Sequence, residues 1–196
     1  MAAKRKKPAT LGNRVRIIGG QWRGRKLEVG EEEGLRPTGD RVRETLFNWL
    51  MPTIVGANCL DAFAGTGALG FEALSRGARS VTFVEQNSNS ANFLRTNIQL
   101  LCADACVHNQ DFLSWKADTS NHFDLIFIDP PFAGEMWQQA LTHMISHIPL
   151  PKDALIYIEA PREQNILLPP QWNVHREKIF GQVKALLCKT SPGEAG

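Results

Sequence analysis

The stretch Leu60-Asp61-Ala62-Phe63-Ala64-Gly65-Thr66-Gly67-Ala68-Leu69-Gly70 constrains this chain more than any other. An apolar run over 59–64 stops at two closely spaced glycines, and a helical pattern from Ala68 to Leu74 follows. That pattern predicts a strand, a tight turn and a helix. Glycine at 65 and 67 opens backbone angles closed to other residues and lets a ligand approach the main chain. The first N–H groups of the helix behind them lack intrahelical partners. The spacing Gly65-x-Gly67-x-x-Gly70 fits a nucleotide-binding turn, and Glu85 ends the next predicted strand, where a ribose-binding acid is expected. Asp61 narrows the choice of nucleotide. A carboxylate there repels a pyrophosphate and suits a ligand carrying an ammonium or sulfonium charge.

From Cys59 onward, strand and helix patterns alternate. Strands are expected over 58–64, 80–85, 105–109, 123–128 and 154–159, with helices near 67–76, 88–101 and 135–147. The near-continuous apolar character of the last two strands fits a parallel sheet covered on both faces. Residues 174–180 and 182–187 flank Gly181 and read as a hairpin. The expected fold is α/β: a mostly parallel, doubly wound sheet closed by an antiparallel C-terminal hairpin.

Ahead of this domain, Val15, Ile17 and Leu27 supply strand-like positions around Gly19-Gly20, so a small β-hairpin is expected over 14–29. An amphipathic helix carries Val42, Leu46, Trp49 and Leu50 on one face, with Thr38 or Asp40 as its expected cap. The expected organisation is a disordered basic tail (1–13), a basic hairpin appendage (14–35), the main domain (36–190) and a short tail (191–196).

Net charge is +2, so the bulk value says little about partners. Its distribution says more: nine Lys or Arg precede residue 27, with no Asp or Glu among them. Arg14, Arg16, Arg23, Arg25 and Lys26 interleave with Trp22, a combination suited to phosphate contact and base stacking. No apolar run is long enough to span a membrane, and no secretory signal follows the basic start. Cys59, Cys102, Cys106 and Cys188 are scattered, without histidines at zinc spacing. A cytoplasmic protein with reduced thiols and no metal is expected.

Ligands of open α/β sheets bind outside the carboxyl ends of the strands. Asp61, Glu85, Asp111 and Asp129 each fall at such an end. Any one could cap a helix; four in succession point to a site. Glu85, with Gln86 beside it, can accept both hydroxyls of a ribose. Asp111 can accept from an adenine amine while Phe112 packs on the ring. Asp129-Pro130-Pro131-Phe132 follows a buried strand, and its prolines make a rigid turn without N–H donors.

Three resemblances follow from these residues. Asp61 to Gly67 resembles the D-x-F-x-G-x-G motif of class I S-adenosylmethionine-dependent methyltransferases, which assigns Asp61, Phe63, Gly65 and Gly67 to the cofactor. Asp129 to Phe132 resembles the [D/N]-P-P-[F/Y/W] motif of methyltransferases that act on exocyclic amines of bases. In those enzymes the acid and the following carbonyl accept from the amine, and the aromatic stacks on an extruded base. Finally, Arg14 to Leu27, Arg36-Pro37-Thr38 and Asp40 to Asn48, taken with Asp129 to Phe132, are similar to the bacterial RsmD family, 16S ribosomal RNA guanine-N2 methyltransferases. That resemblance implies closure of Arg36 and Thr38 over the methionine end of the cofactor. It also implies action on RNA within an assembled 30S particle, and a monomer is expected. The chain departs from the family at its basic tail and at Gln86-Asn87.

Three alternatives remain at this stage. An adenine-N6 methyltransferase shares the pocket but calls for a target-recognition insert. A nicotinamide-dependent oxidoreductase shares the glycine spacing but has no use for Asp129 to Phe132. An RNA-binding assembly factor without activity could keep the fold.

Overall fold

The computed structural model describes residues 14–30, 39–118, 120–131 and 136–190. The two expected tails lie outside the described residues, as do Arg36, Thr38 and Phe132.

Among the described residues, the main sheet has seven strands. In chain order these are β3 (Asn58–Asp61), β4 (Ser80–Val84), β5 (Ala105–His108), β6 (Leu125–Ile128), β7 (Leu155–Pro161), β8 (Trp172–Phe180) and β9 (Val183–Thr190). Their spatial order is β5-β4-β3-β6-β7-β9-β8. β5 through β7 run parallel, whereas β9 is antiparallel to both of its neighbours. The doubly wound sheet with an antiparallel closing pair is therefore as expected. The second strand of the final hairpin inserts beside β7 and leaves β8 at the edge.

β3 ends at Asp61, three residues before the expected boundary. The apolar run nevertheless continues to pair with its neighbours. The Ala62 N–H donates to the Phe127 carbonyl at 3.1 Å and the Ala64 N–H to the Val84 carbonyl at 3.0 Å. Ala62 and Ala64 thus stay buried between β4 and β6 while the chain turns, and Phe63 between them is left partly exposed.

Among the described residues, four helices cover the sheet: α1 (Asp40–Leu50), α2 (Ala68–Ser75), α3 (Ser88–Leu101) and α4 (Met136–His147). Gly39 is the N-cap of α1 and no side chain bonds there, so Asp40 does not cap this helix. It is the first helical residue and serves arginines instead: Arg16 reaches it at 3.0 Å and Arg43 at 2.6 Å.

The N-terminal hairpin pairs β1 (Arg14–Arg16) with β2 (Lys26–Glu28), Val15 opposite Leu27. Ile17 and Leu27 join the core formed by α1, α2 and one face of the sheet. The hairpin therefore packs on the domain, and between the hairpin and the sheet every residue of α2 is buried. Gly20 permits this. Its φ is +74°, and a Cβ there would meet the Ser75 carbonyl oxygen at 1.8 Å.

Candidate active site

The strand order reverses between β3 and β6, and the crevice at such a switch point is where ligands of open α/β sheets bind. β3 delivers Asp61 and the glycine turn, β4 delivers Glu85, and β6 delivers Asp129.

Glu85 holds the turn directly. Its Oε2 accepts the Gly65 N–H at 2.6 Å and its Oε1 accepts the Asn87 N–H at 2.7 Å. Gly67 takes φ +75°, and a Cβ there would lie 2.5 Å from Leu94. The turn is thus pinned to β4, and the backbone at position 67 favours glycine. Asn87 caps α3 by accepting from the N–H groups of Asn89 and Ser90, which gives the unusual Gln86-Asn87 pair a structural reason. Gln86 is exposed. Its carbonyl and that of Glu85 both accept from the Asn109 amide, at 3.0 and 2.8 Å. Asn109 ties the ends of β4 and β5 together.

Asp61 is almost fully buried, and its Oδ2 accepts the Gly70 N–H at 3.0 Å. It stabilises the first turn of α2. Burial pushes its carboxyl up to about 7, and the charge of Glu85 adds to the rise.

Asp111 is exposed and caps a single 3-10 turn, Phe112–Ser114, by accepting the Leu113 N–H at 3.0 Å. Phe112 is buried, its ring 5.1 Å from Phe63 and edge-on to His143 at 5.3 Å. The pair Phe63–Phe112 forms an apolar wall beside the turn, with Phe63 the more exposed member.

Asp129 follows Ile128, whose register partner is Ile158. It is partly exposed, whereas Pro130 is buried and Pro131 exposed. Beside it lies a buried polar pair. The Tyr157 hydroxyl donates to Glu159 Oε2 at 2.9 Å. Burial, then the charges of Glu159 and Asp129, push the Tyr157 hydroxyl well above its ordinary range. The Glu159 carbonyl accepts from the Trp137 indole at 2.8 Å, which fixes the start of α4 against β7.

The basic residues divide. Arg14, Arg16 and Lys26 are exposed on one face of the hairpin, and Arg23 and Arg25 are exposed in its loop. Arg14 lies 3.8 Å from Glu28 and Arg16 pairs with Asp40. Trp22 differs from its companions: it is half-buried against the core. The hairpin is anchored by Glu72, which has no exposed surface. That carboxylate accepts from the N–H groups of Ile18 and Gly19 at 2.7 and 2.8 Å and from Arg76 at 2.7 Å, with Arg43 at 3.9 Å. A buried charge is tolerated only with such partners.

Sequence reasoning missed Glu72, Asn109, Tyr157 and Glu159. Glu72 had a signal: it is the lone charge in the otherwise apolar helix Ala68–Ser75. Glu159 had one too, since it falls at the carboxyl end of a parallel strand, like the other acids. Asn109 and Tyr157 carried none.

A sheet in this order, with a glycine turn after its first strand, an acid ending its second and Asp-Pro-Pro ending its fourth, defines a class I methyltransferase fold. The sequence profile of a family described as "Conserved hypothetical protein 95" matches residues 15–189. The chain belongs to this family, the RsmD family. It is 50% identical over 174 residues to the ribosomal RNA small subunit methyltransferase D of Haemophilus influenzae, spanning 86% of this chain and 90% of that protein. It is 47% identical over 181 residues to the Escherichia coli protein of the same name, spanning 91% of each. The solved structure of the yhhF protein from Escherichia coli superposes with a TM-score of 0.82 at 46% identity, covering 91% of this chain and 99% of that one.

Proposed function

We infer that this chain transfers a methyl group from S-adenosylmethionine to the exocyclic N2 amine of a guanine in small-subunit ribosomal RNA. The observation that carries the proposal is Asp129-Pro130 at the end of β6, beside a glycine turn held by Glu85. Family membership supports the substrate.

The residues present fit the cofactor. Each oxygen of a carboxylate has two acceptor positions, so Glu85 can bond its backbone donors and still receive a ribose diol. Gly65 and Gly67 leave the main chain open to close approach. Phe63 and Phe112 offer an apolar wall for an adenine, and Asp111 an acceptor for its amine. Asp61 answers the positive charge of the methionine end, and Arg36 and Thr38 are proposed to close over it. When bound, the cofactor supplies a methyl group already activated on a sulfonium.

The chain's own part is positioning and charge. Guanine presents two adjacent donors, N1–H and the N2 amine, and a carboxylate accepts both. Asp129 is proposed to hold that edge with help from the Pro130 carbonyl, and Phe132 to stack on the base. The carboxylate also stabilises the positive charge that develops on N2. The released proton leaves through Asp129 to solvent. The basic hairpin is proposed to grip phosphates around the target through Arg14, Arg16, Arg23, Arg25 and Lys26, with Trp22 bracing its loop. The RNA is proposed to be met within a 30S particle, by a monomer in the cytoplasm.

Mass spectrometry of nucleosides from small-subunit RNA of a deletion strain tests this function. One N2-methylguanosine should disappear and return on complementation. An unchanged N2-methylguanosine content with a missing N6-methyladenosine would point to the adenine enzyme instead.

A further inference from the structure

We propose that the edge strand β8 forms a second RNA-phosphate contact, through Arg176 and Lys178, on the same face of the molecule as the N-terminal hairpin. The inference rests on the RNA substrate proposed above and adds a surface to it.

Residues 173–179 of β8 are exposed. Cross-strand register fixes which way they face. Arg176 is opposite Leu187, which is opposite Tyr157; Lys178 is opposite Ala185, which is opposite Glu159. Directly opposed residues share a face of the sheet. Leu187, Ala185 and Tyr157 belong to the core that also contains Ile17 and Leu27 of the hairpin and Val42, Leu46 and Phe47 of α1. Arg176 and Lys178 therefore stand on the hairpin side. Glu177 is opposite Leu186, in the core on the other side, beneath α4. The bulge between Val174 and Arg176 sets this phase.

The row Lys178–Ala185–Glu159 points at the site. Glu159 follows Ile158, the partner of Ile128, and Asp129 follows Ile128. Strands are about 4.8 Å apart, so Lys178 is about 14 Å from the strand that bears Asp129. A strand of RNA entering that site from the edge of the sheet crosses this row within a few nucleotides.

Both cations are available. Among the described residues neither forms an ion pair. Arg176 donates to the carbonyl of its neighbour His175 at 3.1 Å, and the Lys178 ammonium sits 5.1 Å from the centre of the Phe180 ring. Charge on an edge strand also guards against strand pairing between molecules. That role does not call for cations on one face and an acid on the other, which is the arrangement here.

The test compares wild type, Arg176→Ala/Lys178→Ala, the charge-keeping Arg176→Lys/Lys178→Arg, and Glu177→Ala. Binding to small ribosomal subunits from a deletion strain is measured across salt concentration, and N2-methylguanosine formation is followed in the same samples. Each phosphate contact contributes roughly 0.7–0.9 to the slope of log affinity against log salt. The double alanine variant should lose roughly 1.4–1.8 from that slope and raise KM with kcat little changed. The charge-keeping variant and Glu177→Ala should match wild type. A double alanine variant with the wild-type slope and KM overturns the proposed contact while leaving the methylation function standing. Wild-type protein that binds with the predicted slope difference but makes no N2-methylguanosine overturns the function and retains the contact.

Discussion

Glu85 Oε2 and the Gly65 N–H are 2.6 Å apart, a bond that ties the end of β4 to the glycine turn after β3. The other oxygen takes the Asn87 N–H, so one carboxylate shapes both the turn and the start of α3. Glu85→Gln cannot reproduce this, because its amide must set a donor against one of the two N–H groups. Calorimetry should show S-adenosylmethionine affinity reduced roughly tenfold or more, equal to about 1.4 kcal/mol. An unchanged affinity would remove Glu85 from the ribose role.

Asp61 predicts a pH effect. Its carboxyl is raised from 3.8 to about 7 by burial, so the folded protein holds this proton more tightly than the unfolded chain does. The group's contribution to stability is therefore greatest below its unfolded value and is lost as pH rises towards 7. A cationic ligand reverses that preference by favouring the carboxylate. Binding of S-adenosylhomocysteine, which keeps the ammonium, should strengthen from pH 6 to pH 8 and release a proton near pH 7. The heat measured at pH 7 should then differ between buffers of different ionisation enthalpy, and Asp61→Asn should abolish the difference. Equal heats for the wild type would mean that Asp61 is already ionised.

Glu72 predicts a stability effect separable from chemistry. Glu72→Ala removes the acceptor for Ile18 and Gly19 and leaves Arg43, itself buried, with less compensation. Breaking a buried charge pair in this way costs about 3–5 kcal/mol. Denaturant melts should show a loss near the lower end, since Asp40 still pairs with Arg43. Hydrogen exchange should rise over residues 17–25 first. A variant as stable as the wild type, with unchanged exchange there, would mean that the hairpin docks by its apolar contacts alone.

Much of this architecture was legible from residue pattern because its signals are local. Alternating strands and helices from Cys59 onward mark the parallel sheet, and glycine spacing with acids at strand ends marks the crevice. The contacts that were not legible join residues far apart in the chain. Glu72 meets Gly19 across 53 positions, and nothing near either residue announces the other. Arg14, Arg16 and Trp22 looked alike as surface groups. The fold separates them, pairing the arginines with Glu28 and Asp40 and half-burying the indole. Asp40 looked like a cap and is instead a partner for Arg16 and Arg43.

The assignment of Asp129 as the guanine reader is tested most directly by purified Asp129→Asn acting on small subunits from a deletion strain. The change is nearly isosteric but replaces a charged acceptor by an amide whose donor faces the donors of guanine. Losing a charge-assisted hydrogen bond costs about 1.5–3 kcal/mol, so N2-methylguanosine should form roughly 10–100 times more slowly. Cofactor affinity should stay near the wild-type value. Wild-type rates from Asp129→Asn, or N6-methyladenosine as the product of the unaltered protein, would contradict the account.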